Sequence, residues 1–299
     1  MVDWHDSILV TGSHRSGTTW VGRILSQAPG MVYVHEPLSP NQQIKNSPIR
    51  YFYQYFSGGK DPEQIEQLTA LLNDRIYFSN SYLCARLSKG KIKDRIYYLK
   101  ECVRFRCIKG RIIKDPHALF LSDWLSKEYR IKILIMIRHP AAFVYSLINK
   151  QWDFDFQNFI KQPELMAGPL LKFQDEIHSI VNTYPSILKQ GILLWKIFYQ
   201  HIARLNETHS DWIFLRHEDL ANNPEAKIIE VFDKLKLEWT TKAQTYFKST
   251  INNSPNKPMS RDLSDTMYAW KKGLSDKEIN EIKQETIEIW PLFYTEEEW

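Results

Sequence analysis

No stretch of this 299-residue chain approaches the ~18 consecutive apolar residues that a membrane span needs, which excludes a helical membrane protein. The first residues, Met-Val-Asp-Trp-His-Asp, lack the basic-then-apolar pattern of a secretory signal. Cysteine is scarce: Cys84, Cys102 and Cys107 are odd in number and lack metal-ligand spacing. A disulfide scaffold is thereby excluded, and the expectation is a cytoplasmic protein with reduced thiols. Charge of one sign is also lacking. The 39 Lys and Arg against 35 Asp and Glu leave +4, too mild for a nucleic-acid partner but suited to an anionic ligand. Internal repeats and low-complexity tracts are absent. Glycine is thin, 11 in all, so two of them flanking four polar residues draw the eye.

That stretch is residues 8–25. Ile8, Leu9 and Val10 form a short buried-strand signal. Gly12-Ser-His-Arg-Ser-Gly17 is a loop of small and polar residues, and from Thr18 the apolar positions Val21, Ile24 and Leu25 recur at helical spacing. Strand, tight loop and helix make a phosphate-binding turn, because open N–H groups and the helix dipole favour an anion at the helix start. The pattern G-x-x-x-x-G-K-[ST] of nucleotide triphosphatases is met in its glycines but not its lysine; Thr18 stands there. Arg15 supplies the cation instead, with Ser16, Gly17, Thr18, Thr19 and the ring of Trp20 beside it. This set suits a less charged anhydride, with an aromatic ring available to stack on a base.

Four further strand signals follow, at 31–34, 110–114, 132–137 and 211–215. Helical patterns follow several of them, at 118–128, 187–205, 224–237 and from Ser275, where Glu278 completes a capping box. The alternation predicts an α/β fold of three layers on a mostly parallel central sheet of about five strands. Chemistry-bearing residues sit at the strand ends: His35 and Glu36 before Pro37, Lys114 with His117 after it, and Arg138 before Pro140. Arg138 and Ser146, two helical turns apart, have the geometry to converge on one phosphate. The Tyr51/Tyr55 and Phe52/Phe56 pairs read as a helix face or as the wall of a pocket. Residues 252–265 read as a mobile polar loop.

Arg15-Ser16-Gly17-Thr18-Thr19-Trp20 resembles the 5′-phosphosulfate loop of the sulfotransferases, in the form that carries arginine for lysine. Arg138-His-Pro-x₅-Ser146 resembles their 3′-phosphate motif, His35-Glu36-Pro37-Leu38 the acceptor-side stretch of carbohydrate-type members, and Arg216-His217-Glu218-Asp219-Leu220 the segment beside the adenine, with His217 for a tyrosine. The resemblance implies one domain over 1–299 with acceptor-side or lid insertions at about 39–109 and 151–185. It implies 3′-phosphoadenosine 5′-phosphosulfate (PAPS) as donor, the bisphosphate PAP as product, no metal, and a hydroxyl of a small molecule, lipid or glycan as acceptor. It assigns Arg15 and Lys114 to the developing negative charge, Glu36 as base ahead of His35 and His117, and Arg261, Lys271 and Lys272 to a closing basic segment. A P-loop kinase or nucleotidase, and a catalytically inactive nucleotide-binding protein, are the rival readings.

Overall fold

The computed structural model describes residues 4–42, 47–58, 62–76, 108–251 and 263–299. In chain order the elements are β1 (Ile8–Gly12), α1 (Thr18–Leu25), β2 (Met31–His35), α2 (Pro62–Ile76), β3 (Gly110–Lys114), α3 (Ser122–Tyr129), β4 (Lys132–Ile137), α4 (Pro140–Lys150), α5 (Gln157–Ile160), α6 (Pro163–Ala167), α7 (Gln174–Thr183), α8 (Ile187–Thr208), β5 (Ile213–Arg216), α9 (His217–Asn222), α10 (Pro224–Leu235), α11 (Thr241–Ile251), α12 (Leu263–Gly273) and α13 (Asp276–Glu285).

The strands form one sheet in the order β2-β3-β1-β4-β5, every neighbouring pair parallel. β1 is central: Ile8 lies opposite Ile112 on one side and Lys132 on the other, and Gly12 opposite Met136. Because the strands run the same way, Gly12, His35, Lys114, Ile137 and Arg216 all end at one edge, where ligands bind in such sheets. Side chains alternate between the faces. Ile8, Val10, Ile112, Leu134 and Met136 pack with Val21, Ile24 and Leu25 of α1 and with α10 and α11. Leu9, Ile113, Ile133, Ile135 and Ile137 pack on the opposite side with α4 and α8. The result is the expected three-layer α/β arrangement. No helix among the described residues is long and apolar enough to cross a membrane.

Several boundaries differ from expectation. β5 begins at Ile213, since Trp212 stacks on His209 at 3.9 Å and turns the chain before the strand. The helix expected over 118–128 is a 3₁₀ segment, Pro116–Leu121, followed by α3; the Asp115 carboxylate caps it by accepting from the His117 N–H. The Tyr51/Tyr55 and Phe52/Phe56 spacing does not mark a helix. Residues 51–57 are turn and irregular chain, with Tyr53 at φ 57. Residues 151–185 carry α5, α6 and α7, which bury Phe159, Leu165 and Ile177. The loop expected over 252–265 ends in helix, since α12 starts at Leu263; its earlier part, Arg261 included, lies outside the described residues, as do the cysteines and Tyr77, Phe78, Tyr82, Tyr97 and Tyr98. The capping box at Ser275 and Glu278 is present, and Ile282, Thr286 and Trp290 face inward.

Candidate active site

The β1–α1 loop is built for close approach. Gly12 has φ 138, and a Cβ there would meet the Met136 carbonyl oxygen at 2.4 Å, so β4 can lie against it only if the residue is glycine. Gly17, at φ 93, precedes α1 without providing a side-chain cap. The first N–H groups of the helix therefore keep their donors for something outside it. Arg15 is also left-handed, φ 66. Ser16 is fully buried and donates to the Ser13 carbonyl at 2.6 Å, which fixes the turn.

The tip of β4 meets this loop. Arg15 Nε donates to Ser146 Oγ at 3.0 Å, and Arg138 Nη1 donates to the Arg15 carbonyl. Thus the two stretches singled out separately in the sequence share one cluster, with both guanidinium groups in it. Burial, opposed by the Glu218 carboxylate, lowers the Arg138 pKa, yet a guanidinium remains cationic in any accessible range. Tyr199 joins the same two segments from below: its hydroxyl accepts from the Arg138 N–H at 2.5 Å and lies 3.3 Å from Ser13 Oγ.

The β2 and β3 ends form a second group. Lys114 is buried and donates to Glu36 Oε1; the two side chains are 3% and 27% exposed. Burial alone pushes the Glu36 carboxyl up, but the hydrogen bond and charge of Lys114, helped by His35 and His117, outweigh it and hold the pKa below the ordinary value. His35 stands at 4.0 Å from the same carboxylate and 3.2 Å from the Tyr33 hydroxyl, more than half exposed. His117 packs its ring on Phe52 and Tyr53 at 4.7 and 5.2 Å, and burial lowers its pKa to about 4. Its Nδ1 is buried with no hydrogen-bond partner among the described residues. Asp115, between these groups, accepts from the Leu38 N–H at 2.7 Å and the His117 N–H at 3.0 Å; burial first, with the Glu36 charge, raises its pKa to about 7.

Thr18 is buried at the start of α1, and Thr19 follows it half-buried. Trp20 Nε1 donates to Thr250 Oγ1 at 3.1 Å, which pins its ring beside α11. His217 reaches the phosphate-binding loop: a Cβ on Gly17 would lie 2.9 Å from His217 Cδ2. Its Nδ1 is buried without a hydrogen-bond partner among the described residues, and burial with the Arg138 charge lowers its pKa to about 3. Lys271 donates to the Trp299 carbonyl at 2.8 Å and lies over the Trp270 ring, so in this state it holds the last residues rather than reaching the loop. Lys272 is exposed on α12.

Sequence reasoning passed over Tyr199, which lies within the helical pattern at 187–205, and His14, which lies inside the loop without matching a motif position. The sequence marks Glu218 only within the 216–220 segment; it accepts from the His139 N–H at 3.0 Å and the Tyr294 hydroxyl at 2.8 Å and so anchors the β4 tip to the last residues. A tyrosine more than three turns into a long apolar helix, opposite a strand tip, is the kind of signal that would have found the first.

Residues 7–241 match the model of the Sulfotransferase family. No curated protein matches the chain. Solved structures similar to it include the sulfotransferase domain from the curacin biosynthetic pathway, 13% identical over 94% of this chain and 97% of that one, TM-score 0.47. A sulfotransferase from Mycobacterium avium is 12% identical over 99% and 78%, also at 0.47. The sulfotransferase domain of the Synechococcus PCC 7002 olefin synthase is 13% identical over 93% of each chain, again at 0.47. At such scores the family statement rests on the sequence match, which spans well over half of the chain: it belongs to the Sulfotransferase family.

Proposed function

We propose that this protein moves the sulfuryl group of PAPS to a hydroxyl of a small-molecule, lipid or glycan acceptor, as one domain over 1–299. The observation that carries the reading is the convergence of Arg15, Arg138 and Ser146 at the open start of α1. Features of the site fit such a nucleotide. The α1 start lacks a side-chain cap, two guanidinium groups face one cluster, and a buried His217 ring, its Nδ1 without a partner among the described residues, lies beside Gly17, suited to contact a base. The donor supplies an activated sulfuryl group; the residues supply grip, alignment and proton handling.

In this reading the N–H groups at 17–19, with Arg15, Ser16, Thr18 and Thr19, bind the 5′ end, and Arg138 and Ser146 bind the 3′-phosphate. Trp20 and His217 flank the base. Each charge-assisted hydrogen bond contributes about 1.5–3 kcal/mol, and fixing donor and acceptor together lowers the barrier by up to ~7–11 kcal/mol. Arg15 and Lys114 stabilise negative charge where the donor's S–O bond breaks. Glu36 takes the acceptor proton. While Lys114 donates to it, Glu36 is a weak base; when Lys114 turns to an anion, burial raises the carboxyl toward the range useful near neutrality. The unpartnered Nδ1 of His117 supports a second assignment of the base. The cations present offset the donor's charge, so the reading calls for no metal.

The test is transfer of label from ³⁵S-PAPS across a panel of alcohols and glycans. Labelled product and PAP, formed equally with and without EDTA, are expected. Magnesium-dependent ATP turnover would replace the reading with a kinase or nucleotidase; tight PAP binding without transfer to any acceptor would leave a binding protein.

A further inference from the structure

Tyr53 has no place in the sequence-based site, yet it lies where two parts of it meet. Its side chain is wholly buried, with Phe120, Phe154, Phe159 and Phe198 around the ring at centroid distances of 4.4–6.3 Å. Its backbone is left-handed at φ 57, a conformation that a bulky residue keeps only where its surroundings over-determine it. The hydroxyl is directed at His14. It accepts from the His14 backbone N–H at 3.4 Å and lies 2.5 Å from Nδ1. Burial, with the nearby charge of Arg15, keeps the imidazole neutral, its pKa lowered to about 3. With the tyrosine oxygen accepting from the main chain, its hydrogen donates to Nδ1, and the neutral ring carries its proton on Nε2. The ring of Tyr53 also contacts His117, which packs on Phe52.

We infer that Tyr53 is a positioning residue for sulfuryl transfer: its hydroxyl clamps His14, the residue before Arg15, and so ties the donor loop to the acceptor-side segment that carries Phe52 and packs on His117. The inference rests on the donor assignment under Proposed function. A tyrosine filling an apolar cage needs no partner in the loop. One that grips both the main chain and the ring of a loop residue sets where the following N–H groups point. Without the oxygen, His14 keeps two buried polar atoms with no partner, and the loop relaxes to satisfy them. Through the same side chain, movement of the Phe52 wall is felt at the donor loop.

The experiment is calorimetric titration of PAP into the wild type, Tyr53→Phe, His14→Ala and the double variant, with melting curves and ¹⁵N-histidine spectra. Tyr53→Phe deletes one oxygen and leaves the ring cage. It should weaken PAP about fivefold, the worth of one buried neutral hydrogen bond. His14→Ala should do the same, and the double variant should be no weaker than His14→Ala alone. The His14 ring should lose its fixed Nε2–H tautomer in Tyr53→Phe. Should Tyr53→Phe not fold, the His14 variants decide: His14→Asn, with an amide acceptor in place of Nδ1, should regain most of what His14→Ala loses. Wild-type PAP affinity in Tyr53→Phe, strictly additive losses, or no rescue by His14→Asn overturns the inference and leaves a merely structural tyrosine. A wild type that binds no PAP overturns the donor reading, and this inference with it.

Discussion

Replacing Glu36 by glutamine separates the roles of the Lys114–Glu36 pair. Lys114 is almost fully buried and Glu36 about a quarter exposed. Deleting one partner of a fully buried pair costs about 3–5 kcal/mol, because the remaining charge is stranded. Glutamine keeps an oxygen for Lys114 to donate to, and Glu36 is partly in solvent, so the expected loss of stability is smaller, about 1–2 kcal/mol. Glu36→Ala should cost clearly more, since Lys114 then has no acceptor there. The catalytic effect is larger and separable. Removing a general base lowers the rate by about 10²–10⁴, so kcat should fall in that range while PAP affinity stays within a few-fold. The assays are kcat at saturating PAPS, PAP titration and a melting curve on the same preparations. A kcat within threefold of wild type refutes the assignment and moves the base to His117. Equal losses in kcat and PAP affinity would show that the pair shapes the donor loop instead.

Other outcomes follow from the same geometry. Arg138→Ala should weaken PAP by about 10- to 150-fold, the range for one charge-assisted contact, in the same titration. Gly17→Ala forces a side chain into a left-handed position 2.9 Å from the His217 ring; it should lower the melting point and PAP affinity together, by about 1–3 kcal/mol of strain. Acid should destabilise the fold below pH 6.5. Buried His14, His139, His201 and His217 have pKa values lowered to about 3 and His117 to about 4, so the unfolded chain takes up protons that the folded chain refuses. Between pH 7 and 5.5 each costs about 1.3 kcal/mol. Asp115, raised to about 7, works the other way and returns about 1.6 kcal/mol over the same interval. The net loss of roughly 5 kcal/mol should appear in denaturant midpoints at the two pH values; a midpoint that rises on acidification contradicts these burials.

Much of the fold was legible because it rests on local patterns. The apolar runs at 132–137 and 110–114 became β4 and β3, and the polar loop between Gly12 and Gly17 became the strand-to-helix turn because no other residue tolerates those backbone angles so close to β4 and His217. What stayed hidden depends on packing between distant segments. Tyr199 looks like any core residue on an apolar helix; only across 61 positions of sequence does its hydroxyl find the Arg138 N–H. Tyr51, Phe52, Tyr55 and Phe56 have helical spacing, yet buried Tyr53 between them takes a left-handed turn, and tertiary contacts override the period. Lys271 stands near the position that the resemblance suggested, but a nearby backbone carbonyl and the Trp270 ring engage its ammonium. Spacing reveals which residues are near a site; it does not reveal which competing partner holds them.

The central claim is that the β1–α1 loop and the β4 tip grasp opposite ends of one nucleotide. A crystal structure with adenosine 3′,5′-bisphosphate tests it most directly. The account predicts the 5′-phosphate on the N–H groups at 17–19 with Arg15, and the 3′-phosphate on Arg138 and Ser146. A nucleotide bound elsewhere, or one whose 3′-phosphate touches neither Arg138 nor Ser146, contradicts it.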